Sequence, residues 1–204
     1  KVEYIDKVHG NSKGWITRSC IDENGYSQWH YKYLELKETD LTGENIYITL
    51  NTFYKPCRRL ECIKELNALF IDLDYYKTQF TKEQIIMNLE ENYFNKTIPA
   101  TNYILDSGRG LGLIWLINKV PDRQALDATR ILRVPGSINS KSKTVVSIID
   151  EYDYIYDLRE IQKEYLPELK PKEKKKGRPK KVNYVYRERS LYYARIQDIT
   201  KLCE

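Results

Sequence analysis

The stretch Asp127-Ala128-Thr129-Arg130-Ile131-Leu132-Arg133-Val134-Pro135-Gly136-Ser137-Ile138-Asn139-Ser140-Lys141 sets one carboxylate among three cations and several short polar side chains. Pro135-Gly136 dictates a turn. Beyond it, Ser137, Asn139 and Lys141 point to one side of an extended chain. Arg and Lys suit the oxygens of a triphosphate, and Asn suits a sugar hydroxyl or a backbone amide. Asp122 is placed to cap a helix running to about Leu132. Arg130 and Arg133 would share a face of that helix, although one of them could as well be a structural salt-bridge partner.

Two shorter segments precede it. Phe70-Ile71-Asp72-Leu73-Asp74 closes the nearly continuous apolar run Ala68–Leu73, as expected of a strand buried on both faces. Side chains alternate along a strand, so Asp72 and Asp74 share a side while Leu73 enters the opposite layer. Two carboxylates beside a core do not both stay ionised without a cation between them, and Mg²⁺ or Mn²⁺ prefers such hard oxygen ligands. A D-x-D pair alone fits a solvated strand end equally well. Ser107-Gly108-Arg109-Gly110-Leu111-Gly112 offers a tight turn whose backbone N–H groups could admit a phosphate, with Arg109 adding charge. Ordinary hairpins use the same residues, and the Gly-Lys-Ser/Thr ending of a P-loop is absent. Acids, turn and cationic segment together are what divalent-metal chemistry on a nucleoside triphosphate requires.

Around these segments the pattern is α+β. Asn45–Phe53 reads as a strand, Arg58–Leu66 as a short helix, and Thr81–Phe94 as a helix with a Thr81/Gln84 capping box and a face of Ile85, Ile86, Leu89 and Tyr93. Asn102–Leu105 and Leu111–Ile117 flank the glycine turn as antiparallel strands. Val145–Ile149 is a further strand and Arg159–Tyr165 a closing helix. Residues 1–45 give only a weak signal. Hairpin-like connections outnumber βαβ units, so the sheet is mainly antiparallel or mixed.

The 204 residues suffice for one full domain with an appendage. No apolar run approaches a membrane span and no signal peptide opens the chain, which points to the cytoplasm and to no membrane partner. The chain starts on Lys1 and stops on Cys203-Glu204 within a charged helical pattern, as expected of a piece of a longer protein. Four cysteines are scattered, and Cys57 and Cys62 lack a second close Cys/His pair, so zinc is not expected. The net charge of +5 is local: residues 170–181 alone carry +7, leaving −2 for the rest. That segment, with Lys174, Lys175, Lys176, Arg178, Lys180 and Lys181, reads either as a linker lying along a phosphate backbone or as a solvated tether. The division is therefore 1–168 for the main domain, 169–183 for a basic linker and 184–204 for the start of a helical region.

In order and spacing, the three segments resemble the motifs of the archaeo-eukaryotic primase superfamily, closest to the primase-polymerase replication proteins of plasmids and other bacterial mobile elements. The first motif, an apolar strand ending in D-x-D or D-x-E, is matched by Asp72 and Asp74. The second, S-G-x-G-x-H, is matched from Ser107 to Leu111, with Gly112 where the family usually has His. The third is matched by Asp127, Arg130, Arg133, Pro135, Gly136, Ser137, Asn139 and Lys141. The resemblance covers roughly residues 45–150. It implies an RRM-like sheet packed against a second α/β unit, with Asp72, Asp74 and Asp127 as catalytic ligands of two Mg²⁺ or Mn²⁺ ions. Ser107, Gly108, Arg109, Gly110, Arg133, Asn139 and Lys141 would bind the incoming NTP or dNTP. It further implies a nucleotidyltransferase working on single-stranded DNA template in replication of a mobile element, with a helicase or origin-binding region as a natural partner. The family histidine contacts the triphosphate. At Gly112 either another group substitutes or affinity and activity fall, and a replication initiator using the fold as a DNA-binding module is the alternative.

Overall fold

A computed structural model describes residues 2–120 and 129–165. In chain order the elements are α1 (Val2–His9), β1 (Ile16–Asp22), β2 (Gly25–Tyr31), α2 (Tyr33–Glu38), β3 (Ile46–Thr49), β4 (Thr52–Phe53) and β5 (Ile63–Leu73). There follow α3 (Lys82–Asn88), β6 (Tyr103–Asp106), β7 (Leu111–Val120), β8 (Ile131–Arg133), β9 (Ile138–Asn139), β10 (Thr144–Val145), β11 (Ser147–Glu151) and α4 (Leu158–Tyr165). A five-stranded sheet has the order β11-β6-β7-β5-β4, and a four-stranded sheet the order β2-β1-β3-β8. Every pairing within them is antiparallel.

Period-two patterning decides how the sheets pack. On β5, Ala68 and Phe70 turn toward one core while Leu69, Ile71 and Leu73 turn toward another. β7 divides the same way, with Ile114 and Leu116 on the first side and Leu111, Leu113 and Trp115 on the second. The first core lies between the two sheets. It is filled from the smaller sheet by Ile16, Ile46, Ile48 and Leu132, and from α1 and α2 by Tyr4, Ile5, Val8 and Leu36. α3 covers the far face of the larger sheet with Ile85, and Leu89 follows just beyond its end. Two α/β units therefore share a core, and Asp72, in step with Ala68 and Phe70, emerges on the side where they meet.

Several expectations hold. Thr81 Oγ1 accepts a hydrogen bond from Gln84 N, and Gln84 Oε1 accepts one from Thr81 N, so the capping box starts α3, which continues as a π-turn over Leu89–Tyr93. The glycine turn joins β6 to β7. Others need correction. Arg58–Leu66 is not a helix: only Leu60–Cys62 forms a 3₁₀ turn, and β5 begins at Ile63 because this apolar run completes the sheet. Asn45–Phe53 is broken at Leu50-Asn51, and its two halves enter different sheets. Ile131–Arg133 is a strand paired with β3, not the end of a helix, so Arg130 and Arg133 share no helical face. Asp127, the basic segment 169–183 and the region 184–204 lie outside the described residues. Among the described residues no helix is long and apolar enough to cross a membrane.

Candidate active site

Asp72 lies one residue from the end of β5, directly opposite Gly112 of β7. Asp74 follows the strand and caps the 3₁₀ turn Tyr75–Lys77. Leu73 between them is buried in the second core. The two carboxylates lean over the same glycine: a Cβ on Gly110 would sit 3.4 Å from Asp72 Oδ1 and 3.6 Å from Asp74 Oδ1. It would also lie 2.9 Å from the carbonyl oxygen of Leu73, so a residue without Cβ is what lets the hairpin approach the acid strand.

Cations neutralise both acids. Arg130 Nη2 is 3.7 Å from Asp72 Oδ2, and its guanidinium stands 5.6 Å over the Phe70 ring. Lys77 pairs with Asp74. Burial pushes the Asp72 carboxyl above its ordinary value; Arg130 opposes the rise and Asp74 adds to it. The side chains of Asp72 and Asp74 remain 41 % and 46 % exposed, so these ion pairs are weak and open to exchange. Two solvent-accessible carboxylates converging on one side suit a hard divalent cation. Among the described residues no third ligand joins them.

The glycine turn is closed on itself. Ser107 N and Ser107 Oγ donate to the carbonyl oxygen of Gly110 at 3.0 and 2.9 Å, and Gly110 N donates to Ser107 Oγ at 3.1 Å. Gly108, with φ +78°, donates its N–H to Asp106 Oδ1 at 2.7 Å. The N–H groups of Ser107, Gly108 and Gly110 thus serve the hairpin. Arg109 is better placed for a ligand: its guanidinium lies 4.2 Å over the half-exposed Tyr76 ring.

The cationic segment divides similarly. Ser137 and Asn139 are buried. Ser137 Oγ donates to the carbonyl oxygen of Val134 at 2.7 Å. Asn139 Nδ2 donates to that of Ser107 at 2.6 Å, and Asn139 Oδ1 accepts from Lys141 N at 3.2 Å. Asn139 therefore locks the segment to the glycine hairpin, while Arg133 and Lys141 line cavities. A cavity of about 70 Å³ joins Asp72, Ser107 and Gly112 to Tyr47 and Arg133. A larger one of about 520 Å³ shares Tyr47 and Arg133 and extends to Asn45, Ser140, Lys141 and Lys143. Arg133 is the direct cross-strand partner of Tyr47, with its guanidinium 4.8 Å over that ring. Its Nε is buried with no hydrogen-bond partner, a donor a bound ligand could satisfy.

No family model matches the sequence. The chain is 69 % identical, over an alignment of 227 residues that takes in all of it, to a replication protein of Clostridium perfringens, and spans 56 % of that protein's length. Among solved structures, the AEP domain of the primase-polymerase (PrimPol) of cyanophage S-2L matches with a TM-score of 0.57 over 81 % of this chain and 96 % of that domain, at 13 % identity. The chain has the primase-polymerase fold. Within this fold the acid strand, glycine hairpin and cationic segment meet at one edge. Tyr47, Asn45, Asp106 and Lys143 were not singled out in the sequence. Tyr47 sits in an ordinary β-branched strand, and the other three carry no local pattern.

Proposed function

We propose that the protein is a primase-polymerase nucleotidyltransferase that joins nucleotides on a single-stranded DNA template during replication of a plasmid or other mobile element in the cytoplasm. The observation that carries this reading is the convergence of Asp72 and Asp74 over Gly110, next to a cavity walled by Arg133 and Lys141. Asp72 and Asp74, with Asp127, are the residues that would hold Mg²⁺ or Mn²⁺. Such ions, when bound, activate an attacking 3′-hydroxyl and stabilise the departing pyrophosphate. Arg130 and Lys77 keep the carboxylates neutralised without them and have to yield. Arg133 and Lys141 hold the triphosphate as charged donors. Arg109, stacked on the half-exposed Tyr76 ring, would meet a strand or a phosphate. Residues 1–168 would form the catalytic domain. Lys174, Lys175, Lys176, Arg178, Lys180 and Lys181 would track the template backbone, and a helicase or origin-binding region would act with it.

One observation favours a second reading. Gly112 faces Asp72 with no side chain, so the cavity lacks a donor at that position. A replication initiator using the fold to bind DNA, with little chemistry, fits that feature. Incubation with single-stranded template, Mg²⁺ or Mn²⁺ and labelled NTPs or dNTPs separates the two. The first reading expects de novo products or extension of a supplied primer, abolished in a folded Asp72→Ala/Asp74→Ala variant. Undiminished incorporation by that variant would remove the acids from the mechanism.

A further inference from the structure

Lys143 has a left-handed backbone, with φ +58°, a conformation uncommon for residues other than Gly, Asn and Asp. The turn that holds it is clamped from two sides. Toward the smaller sheet, Asn45 Nδ2 donates to Ser140 Oγ at 2.6 Å and Ser140 N donates to Asn45 Oδ1 at 3.3 Å. Toward the glycine hairpin, Ser142 Oγ donates to the carbonyl oxygen of Ser107 at 3.3 Å, and Gly108 packs so closely on Thr144 and Ser142 that no Cβ would fit. Lys143 N closes the turn on the carbonyl oxygen of Asn139 at 2.7 Å.

This turn fixes Lys143 in the wall of the 520 Å³ cavity, with Lys141 and Arg133. The volume lies in the range of small-molecule sites, roughly 300–1,000 Å³. Asp22, Glu23 and Glu44 line the same cavity, yet among the described residues neither lysine is paired with an acid. An anionic ligand is therefore drawn to the Arg133–Lys141–Lys143 side and repelled from the acids. A strained backbone, pinned by hydrogen bonds and presenting an unneutralised cation, is a pre-organised anion contact.

We propose that Lys143 contacts the outer phosphates of a bound nucleoside triphosphate and makes the cavity favour a triphosphate over a monophosphate. The inference rests on the nucleotide-binding reading above. Lys143→Gly tests it cleanly, because glycine takes φ +58° without strain and only the side chain is lost. Lys143→Gln, which keeps a Cβ and removes the charge, is the companion variant. Titration calorimetry with dATP and dAMP in Mg²⁺ should show the dATP Kd raised about tenfold in both variants, as for loss of one charge-assisted hydrogen bond. The dAMP Kd should stay within about twofold, Lys143→Arg should retain dATP binding, and the melting temperature of Lys143→Gly should not fall. An unchanged dATP Kd in the variants, or equal losses for dATP and dAMP, overturns the assignment while leaving nucleotide binding intact. Failure of the wild type to bind dATP or ATP would instead overturn the nucleotide reading, and this inference with it.

Discussion

Asp106→Asn probes the frame on which the acid pair rests. Asp106 ends β6 and is only 7 % exposed, yet it serves three donors: Gly108 N at 2.7 Å, Lys82 Nζ at 2.8 Å and the Tyr75 hydroxyl at 3.3 Å. It thereby ties the glycine hairpin to the chain just after Asp74. Burial alone would raise its carboxyl, but the bonds from Lys82 and the Gly108 amide outweigh that and hold it below the ordinary carboxylate value. Asparagine keeps one acceptor and loses the charge. Hydrogen bonds to charged groups are worth about 1.5–3 kcal/mol, and Lys82, 40 % exposed, recovers part of its loss from water. The expected cost is about 2 kcal/mol at neutral pH, or roughly 4–8 °C in melting temperature for a chain of this size. Because the folded-state value is depressed, the stabilisation is fully present above the unfolded value and is lost as pH falls through the folded one. Urea unfolding across a pH series should show the full gap between wild type and variant near neutrality, closing in acid. A gap absent at pH 7, or one unchanged on acidification, would refute the role given to this carboxylate. Incorporation of nucleotides should fall with stability, since both neighbours of the acid pair loosen together.

Gly112→His should fold, because a Cβ there meets only Leu105 Cβ at 3.6 Å and its carbonyl oxygen at 4.0 Å. It should tighten triphosphate binding about ten- to a hundredfold, the worth of a charge-assisted hydrogen bond, with single-stranded DNA affinity unchanged in a filter-binding assay. Deleting residues 170–181 removes eight Lys/Arg and should weaken single-stranded DNA binding and flatten its dependence on log salt. An unchanged slope would leave the segment as a tether only.

What the sequence disclosed about the fold tracks how local the determining physics is. The Thr81/Gln84 box and the Ser107–Gly110 turn are fixed by contacts within a few residues, and both are found in place. The run before Asp72 was legible as a strand because β-branched and apolar residues have little else to do in so short a span. Arg58–Leu66 imitates a helix because apolar residues at 60, 63 and 66 satisfy a helical period, yet Ile63 and Leu66 are claimed by the core beside Phe53 and Ile117. Ile131–Arg133 departs from the helical expectation for a similar reason. The register of Tyr47 with Arg133 makes it a strand, and no three-residue window contains that information.

The site followed the same division. Asp72 and Asp74 could be assigned to one side because strand alternation is a rule of two-residue range. Extended to Ser137, Asn139 and Lys141, the same rule gave a less useful answer. Ser137 and Asn139 are turned inward to hold the hairpin and the preceding turn, and only the lysine is left facing a cavity. A polar residue in a motif can serve the ligand or the scaffold, and the choice is made by a partner distant in sequence: Ser107 for Asn139, Asn45 for Ser140. The backbone N–H groups of the glycine turn illustrate the cost of ignoring such partners, since Asp106 and Ser107 consume donors that the sequence left available for phosphate. Charge is what survives this competition. Scaffold contacts can satisfy an amide completely, whereas Arg133 and Lys143, placed in the cavity wall by β8 and by a left-handed turn, keep donors that no described residue fills.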